Sequence, residues 1–290
     1  MILNEFYTLS SGTRIPKIGL GTWMLTDAEA ENAVKAAASL GYRMFDTAQA
    51  YGNEAGVGRG VKTCGIKRDE LFVATKVAAE HKDYRSAAES IDRSLVLSKL
   101  DYFDQIIIHC PQPWAEFRGE KRYFEENKEV WRALEDAKKM GKVREIGVSN
   151  FLTDDLDSLL SDCKERPAVN QFLAHITNTP FALLDYCKKK GIQSEAYSPI
   201  AHGEALKNPE IAKMAQRYGV SVPALCVKYV LSLGMVALPK TGNPAHMQAN
   251  AAVDFDLAAE DFEALKHLAP IQNYGEANVF PCFSKGIRHE

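Results

Sequence analysis

Short apolar runs alternate along the chain with longer segments in which apolar residues recur three and four positions apart. Runs such as residues 71–75 and 103–108 have the length and the aromatic and β-branched content of buried strands. Ala88, Ile91 and Leu95 form a stripe with helical spacing in the segment between these two runs. Strands that alternate with amphipathic helices are typical of a parallel sheet covered by helices, so the pattern predicts an α/β fold.

The alternation continues over most of the chain and gives eight strand–helix units. The predicted strands cover residues 18–20, 44–45, 71–75, 103–108, 143–148, 168–172, 192–197 and 235–238. The predicted helices lie between Thr26 and Gly41 and near residues 53–63, 84–95, 125–139, 156–163, 181–190, 209–218, 221–233, 244–251 and 259–268. This count predicts one (β/α)8 TIM barrel, and we expect residues 1–290 to form a single domain.

The two ends of the chain lie outside this repeat. Residues 7–9 and 13–15 are extended runs separated by a turn that contains Gly12, which predicts an N-terminal β-hairpin. Residues 270–290 show neither the helical nor the strand spacing of apolar residues, so we expect an irregular C-terminal tail.

Composition narrows the classes of function. The chain has 46% hydrophobic and 25% charged residues and a net charge of −3, so its net charge gives no bulk electrostatic attraction to nucleic acid or to an anionic membrane. No apolar run has the length of a membrane span, and the N-terminus lacks the pattern of a signal peptide. The six cysteines have no metal-ligand spacing, so we expect free thiols in the cytoplasm and no metal site.

Three consecutive predicted strands end in residues with reactive side chains, namely Asp46, Lys76 and His109, and Tyr51 follows the first of them. Active sites of (β/α)8 barrels lie at the carboxyl ends of the strands, so these residues can converge. Tyr51 could then donate a proton, since Lys76, held by Asp46, would lower the pKa of the phenol. Each residue also has an ordinary interpretation: a packed loop tyrosine, a solvent-facing lysine, a turn-forming aspartate and a structural histidine.

Further motifs follow in a fixed order around these four residues. They are Gly19-Leu20-Gly21-Thr22-Trp23, Gly147-Val148-Ser149-Asn150-Phe151 and Pro239-Lys240-Thr241. With the Asp, Tyr, Lys and His residues, the chain resembles the aldo-keto reductase family over nearly its whole length. The resemblance implies NADPH-dependent reduction of aldehydes or ketones, with the hydride from nicotinamide and the proton from Tyr51. It also implies that the hairpin closes the barrel floor and that the tail folds over the barrel mouth.

The cofactor site follows from the same resemblance. Four side chains cannot supply a hydride, and no G-x-G-x-x-G fingerprint follows a strand, which disfavours a Rossmann dehydrogenase. The residues that the resemblance assigns to the cofactor are Thr22, Trp23, Asp46, Ser149, Asn150, Gln171, Tyr197, Ser198, Ile200, Lys240, Thr241, His246 and Asn250. In that assignment Ser149, Asn150 and Gln171 bind the carboxamide, Tyr197 stacks on the nicotinamide ring, and Lys240 and Thr241 meet the adenosine end.

The chain departs from the family pattern at two positions. The family usually has Trp after the catalytic His, and here that residue is Cys110, so we expect a roomier substrate pocket walled by Trp23, Tyr51, His109 and Cys110. His246 stands where the family has an Arg near the adenosine phosphate. A guanidinium carries a permanent charge and an imidazole does not, so we expect NADPH to be preferred with NADH also used.

Two other functions remain open at this point. Some relatives are regulatory proteins, so a non-catalytic nicotinamide-binding subunit is one alternative, although a pure binder has no need of all four reactive residues. A phosphate-binding barrel isomerase or lyase is the other. For the reductase, the expected partner is a small-molecule carbonyl substrate and the expected assembly is a monomer.

Overall fold

The computed structural model describes residues 1–285 of the chain. The part of the predicted tail formed by residues 286–290 lies outside the described residues. The strands are β1 (Phe6–Thr8), β2 (Arg14–Pro16), β3 (Leu20–Gly21), β4 (Met44–Asp46), β5 (Phe72–Val77), β6 (Phe103–Ile108), β7 (Val143–Ser149), β8 (Val169–Leu173), β9 (Gln193–Tyr197) and β10 (Val236–Leu238). The α-helices are α1 (Asp27–Ser39), α2 (Glu54–Thr63), α3 (Tyr84–Ser98), α4 (Phe124–Lys139), α5 (Thr153–Leu160), α6 (Phe181–Lys190), α7 (Pro209–Arg217), α8 (Val222–Ser232), α9 (Pro244–Ala251), α10 (Ala259–Lys266) and α11 (Pro281–Ser284).

Strands β3 to β10 form one parallel sheet in chain order. The sheet closes on itself next to β3, where the Gly19 amide donates to the Ala237 carbonyl (2.9 Å) and the Gly21 amide donates to the Pro239 carbonyl (3.1 Å). Helices lie between successive strands and cover the outside of the sheet. The predicted (β/α)8 TIM barrel is therefore confirmed, with most element ends within two residues of those expected.

The N-terminal hairpin closes the floor of the barrel. Strands β1 and β2 pair antiparallel, as predicted. Leu9 and Ile15 pack against Phe72 and Val169, which are the first residues of their strands, so the hairpin covers the amino ends of the parallel strands. The hydroxyls of Ser11 and Thr13 donate to the Glu145 carboxylate on β7 and tie the hairpin to the sheet.

The C-terminal tail is more ordered than the sequence suggested. A 3₁₀ helix (Gly275–Val279) and α11 stand where we expected irregular chain. Tyr274 is buried, its hydroxyl lies 2.9 Å from His175 Nε2, and it accepts a hydrogen bond from Asn178 Nδ2 (3.3 Å). These contacts fix the tail to the loop after β8, 99 residues away for Tyr274 and His175. Contacts between such distant segments leave no periodic pattern in the sequence of the tail.

No helix in the described part of the chain is both long and apolar enough to cross a membrane.

Helix α2 follows the loop that carries Tyr51 and lies unusually close to its neighbours. A Cβ atom at Gly56 would lie 1.9 Å from the Asp27 carbonyl oxygen, and one at Gly58 would lie 2.0 Å from the Ser98 carbonyl oxygen. Only glycine permits this approach, since both obstructing atoms belong to the backbone. The two glycines thus set the position of α2 between α1 and α3.

Replacing Gly58 with alanine should force α2 away from α3. Overpacking of this kind typically costs about 1–3 kcal/mol of unfolding free energy. Urea unfolding of Gly58→Ala, followed by circular dichroism, measures the loss. Gly242→Ala is the control, because the nearest atom to its new Cβ is a Leu25 side-chain carbon at 3.4 Å. Equal stability of the two variants would contradict the close packing of α2.

Candidate active site

Lys76 lies at the centre of the predicted catalytic residues. Its ammonium donates to Asp46 Oδ2 (2.6 Å) and to the Thr47 carbonyl (2.8 Å), and it lies 4.9 Å from the centroid of the Tyr51 ring. The side chain is 1% exposed. Burial alone would lower the pKa of Lys76, but Asp46 and Tyr51 outweigh burial and raise it, so the group is an ammonium at neutral pH. Asp46, Lys76 and Tyr51 therefore meet as predicted, with Lys76 inside β5 rather than after it.

The loop that presents Tyr51 is braced by one glutamine. Gln49 accepts a hydrogen bond from the Ala78 amide (2.8 Å) and donates to Ser90 Oγ (3.1 Å) on α3. Gly52 ends the loop's 3₁₀ helix at φ 68°, a left-handed conformation that glycine adopts without strain. The loop is therefore held to β5 and α3, and Tyr51 is held over Lys76.

Burial dominates the proton affinity of Tyr51. It raises the pKa of the phenol to about 12, although the Lys76 charge acts in the opposite direction. The expectation that Lys76 brings this pKa below its ordinary value is wrong for the protein without ligands, because the cost of burying a phenolate exceeds the attraction of the ammonium. Tyr51 is consequently protonated at neutral pH, which is the state that a proton donor needs.

His109 completes the group in its neutral form. Its ring meets the Tyr51 ring edge to face at a centroid distance of 5.6 Å. Burial lowers the pKa of His109 well below its usual range, and the Lys76 charge lowers it further. Within residues 1–285, His109 Nδ1 is buried without a hydrogen-bond partner. A neutral imidazole can therefore hydrogen-bond a carbonyl oxygen beside Tyr51 without adding a positive charge.

A cavity of about 340 Å³ opens above these residues at the carboxyl ends of the strands. Ten of its wall residues were expected from the sequence, namely Trp23, Asp46, Tyr51, His109, Ser149, Asn150, Gln171, Tyr197, Ser198 and Lys240. Eight wall residues were not expected from the sequence, namely Gly21, Ala50, Trp114, Leu238, Phe280, Pro281, Cys282 and Phe283, and the last four belong to the tail. The Trp114 ring meets the His109 ring edge to face at 5.1 Å, and the Trp23 ring meets the Phe280 ring at 4.7 Å. Aromatic rings thus form most of the outer wall.

The expectation that Cys110 forms part of this wall is wrong. Cys110 is fully buried, packs with Ala79 and Phe117, and is not among the described residues that line the cavity. The chain turns after His109, so that the next side chain points into the packing beneath the loop. Trp114, four residues further on, supplies the indole that we expected to be missing. Trp114 was visible in the sequence, but the direction of its side chain depends on the fold of the loop. In the structure it begins a short 3₁₀ helix (Trp114–Glu116).

Amide groups form the polar side of the cavity. Gln171 Nε2 donates to Asp46 Oδ1 (3.1 Å) and to Glu195 Oε2 (2.7 Å). Asn150 Nδ2 donates to Ser149 Oγ (3.0 Å), and Asn150 Oδ1 accepts from the Tyr197 hydroxyl (2.8 Å). These bonds hold the side chains in fixed orientations beside the ring of Tyr197, which suits a flat ligand that carries an amide.

A second cavity, of about 360 Å³, shares Trp23, Ser198 and Lys240 with the first. Its other walls include Ile200, Thr241, His246 and Asn250, as expected from the sequence. The two cavities together offer an aromatic face and amides at one end, Lys240 where they join, and Thr241 and His246 at the other end, so the residues present fit a nicotinamide dinucleotide. Thr22 differs from the expectation: it is fully buried outside both cavities, and its hydroxyl donates to the Asp46 carbonyl (2.9 Å).

No group of three or more His, Cys, Asp or Glu residues within the described range could hold a metal ion.

Comparison with known proteins gives a consistent result. The sequence model of the aldo/keto reductase family matches residues 17–270. A Bacillus subtilis (strain 168) protein named glyoxal reductase is 38% identical over 275 residues, which cover 94% of this chain and 96% of that protein. An aldo-keto reductase from a Medee basin deep-sea metagenome library superposes with a TM-score of 0.85 at 35% identity, over 98% of this chain and 97% of that one. A Bombyx mori aldo-keto reductase in complex with NADP superposes with a TM-score of 0.83 at 28% identity, over 97% and 98%.

The buried Lys76–Asp46 pair generates a stability prediction. Lys76→Met leaves the Asp46 carboxylate buried without its cation, and such a change typically costs about 3–5 kcal/mol of unfolding free energy. Adding Asp46→Asn to Lys76→Met removes the unpaired charge, so the double variant should be the more stable of the two. Chemical denaturation of both variants and the wild type measures this order. A double variant that is less stable than Lys76→Met would show that the two charges do not depend on each other.

Proposed function

The chain belongs to the aldo/keto reductase family, and from that premise we propose that it reduces aldehydes or ketones to alcohols with NADPH, Tyr51 donating the proton. The observation that carries the proposal is the position of the Lys76 ammonium, which is buried between the Asp46 carboxylate and the Tyr51 ring. Asp46 and Tyr51 line one cavity together with neutral His109, whose ring meets that of Tyr51. This arrangement contains a proton donor, a cation to stabilise the donor's conjugate base and a neutral group to orient a carbonyl.

The chemistry of the chain's own residues follows from their charges. The carbonyl oxygen accepts hydrogen bonds from the Tyr51 hydroxyl and from neutral His109. Bound NADPH supplies the hydride to the carbonyl carbon. As negative charge develops on the oxygen, Tyr51 transfers its proton to it and becomes a phenolate. Lys76, kept charged by Asp46, stabilises that phenolate until the proton is replaced. Because burial makes the isolated phenolate costly, this step depends on the lysine.

The residues that would hold the cofactor lie along the two adjoining cavities. Gln171, Asn150 and Ser149 would bind the carboxamide, with Tyr197 against the nicotinamide ring. Lys240 and Thr241 would meet the adenosine end, near His246. Support comes from the fixed orientations of the amides and from the related structure in complex with NADP.

The reductase fits the site better than the two alternatives do. A regulatory nicotinamide-binding subunit gains nothing from a buried ammonium beneath a protonated tyrosine, and burying the ion pair has a cost. A barrel isomerase or lyase would not need aligned cavities suited to a dinucleotide. We also propose that the chain acts as a single-domain monomer in the cytoplasm; its six unpaired cysteines support the location.

The direct test is the loss of NADPH absorbance with a panel of carbonyl compounds. Glyoxal is the first substrate to try, because a relative carries the name glyoxal reductase. A flat aromatic aldehyde is the second, because Trp23, Trp114 and Phe280 form an aromatic wall. NADPH binding without turnover of any carbonyl would favour the regulatory subunit. Absence of NADPH binding would exclude both of these functions.

Tyr51→Phe should remove most of the reductase activity while the affinity for NADPH changes little. Loss of a general acid typically lowers the rate about 10²–10⁴-fold. Single-turnover rates and fluorescence titration with NADPH measure the two quantities separately. Tyr84→Phe is the matched control, since the hydroxyl of Tyr84 is on the surface and donates to Asp136. A Tyr51→Phe variant with an unchanged rate would show that the proton comes from another group.

His246→Arg should tighten the binding of NADPH more than that of NADH. His246 is exposed at the second cavity, where a guanidinium would add a permanent charge for the 2′-phosphate that only NADPH carries. Dissociation constants for both cofactors, measured by fluorescence, give the change in preference. His267→Arg is the control, because His267 is also exposed but lies outside both cavities. An equal effect of both variants would mean that His246 does not meet the phosphate.

A further inference from the structure

A line of hydrogen-bonded polar side chains continues from the catalytic residues down into the barrel. Glu195, on β9, is fully buried. Its Oε2 accepts from Gln171 Nε2 (2.7 Å), and its Oε1 accepts from Gln105 Nε2 (3.0 Å) on β6. Gln171 in turn donates to Asp46. The reduction chemistry described above makes no use of the Glu195 carboxylate, although its burial needs an explanation.

The first consequence concerns the orientation of Gln171. An amide nitrogen has two N–H groups, and in Gln171 one points to Asp46 and the other to Glu195. Gln171 Oε1 is then the atom that remains for a ligand in the cavity. If the bond to Glu195 were absent, the amide could rotate and present either atom. Glu195 therefore fixes which end of Gln171 meets the carboxamide.

The second consequence concerns charge. Burial raises the pKa of Glu195 to about 7; hydrogen bonds from Gln171 and Gln105 and the Lys76 charge lower it, while the Asp46 charge raises it. Gln105 Oε1 is buried without a hydrogen-bond partner in the described chain, so a rotation of the Gln105 amide would give protonated Glu195 an acceptor. The carboxyl can thus exist in either protonation state without leaving its site.

The charged and titratable groups near Glu195 lie on several strands of the barrel, and each has its own partners. Asp46 on β4 and Lys76 on β5 form the ion pair already described. Glu145 on β7 is bound by the hairpin hydroxyls and lies 3.7 Å from Lys138. The neighbours of Glu195 on β8 and β10, Gln171 and Val236, are uncharged. Tyr51 and His109 have pKa values shifted upward and downward, away from neutrality.

We propose that Glu195 is a positioning residue that orients Gln171 and, when ionised, favours binding of the oxidised, positively charged nicotinamide over the reduced, neutral one. The inference rests on the nicotinamide site of the proposed function, but not on the reduction of any carbonyl. Its physical basis is a buried negative charge one hydrogen bond below a residue that lines the cavity, where water screens it little.

The ratio of the dissociation constants for NADP⁺ and NADPH isolates this effect. Both molecules carry the same phosphates, so contributions from His246 and from the 2′-phosphate cancel in the ratio. Glu195 gains a proton as the pH falls through about 7, and the attraction for the positive ring is then lost. The ratio should therefore rise toward acidic pH, by an amount on the order of tenfold for a buried unit charge.

The experiment uses fluorescence titrations of the wild type, Glu195→Gln and Gln105→Met with both cofactors across this pH range. In Glu195→Gln the ratio should not change with pH, and it should stay at the acidic value of the wild type. The variant can keep the orientation of Gln171, since its carbonyl accepts from Gln171 and its amide can donate to Gln105 Oε1. In Gln105→Met the carboxylate loses one donor, so the midpoint should move to higher pH. The proposal would be overturned if the ratio of dissociation constants changed with pH in Glu195→Gln as it does in the wild type. It would also be overturned if the pH midpoint of the ratio in Gln105→Met equalled that of the wild type.

A measurement without cofactor supplies a second readout. The pKa of folded Glu195, about 7, exceeds its ordinary value of 4.5. The resulting stabilisation is present below about pH 4.5 and is lost as the pH rises toward about 7. The thermal midpoint of the wild type should accordingly fall, relative to that of Glu195→Gln, as the pH rises across this range. Parallel curves would contradict titration of Glu195. A pH-dependent ratio without any carbonyl turnover would overturn the reductase proposal and leave this inference intact.

Discussion

The buried ion pair between Lys76 and Asp46 is the interaction on which the rest of the site depends. Both side chains are nearly inaccessible to water, and two charges in such a place are tolerated only when each satisfies the other. The pair requires β4 and β5 to be neighbours in register, and the parallel barrel provides this. Asp46 also keeps the Lys76 ammonium beside the Tyr51 ring, and neither member of the pair is exposed to solvent. The barrel and the cluster of Asp46, Lys76 and Tyr51 are therefore parts of one arrangement, because the pairing of β4 with β5 brings the two charges together.

The interior of the barrel is divided along its axis. Its lower part is mainly apolar, with Ile15 of the hairpin packed against Met44 and Phe72, and the Glu145 carboxylate there is bound by the hairpin hydroxyls. Its upper part is a connected set of polar side chains in which Gln171 joins the Asp46 carboxylate to Glu195. Apolar packing in the lower part of the barrel makes the strands rigid. Rigid strands hold the polar side chains of the upper part at hydrogen-bonding distance from each other. Polar groups buried in this way are costly unless they are satisfied, so the network specifies one geometry more strongly than an apolar core would.

The fold and the convergence of Asp46, Lys76, Tyr51 and His109 could be predicted because they depend on local patterns. The alternation of apolar runs and helical stripes gives the parallel strands, and the carboxyl ends of consecutive strands then bring Asp46, Lys76 and His109 together. The wall of the cavity could not be predicted in the same way. The tail is positioned by contacts such as that between Tyr274 and His175, which are far apart in the chain, and nothing in the spacing of either segment marks them as partners.

The net pKa of Tyr51 was missed for a related reason. The sequence indicates that a lysine can reach the tyrosine, and a positive charge nearby lowers the pKa of a phenol. It does not show how much water the fold removes from the phenol, and removal of water acts in the opposite direction and is larger. The same surroundings that make the phenol hold its proton also strengthen the attraction between a phenolate and Lys76 once the proton has left. A dry site therefore keeps the phenol of Tyr51 protonated and strengthens its dependence on Lys76 in the proposed reaction, so the burial that opposes ionisation of Tyr51 is part of the way in which the site would work.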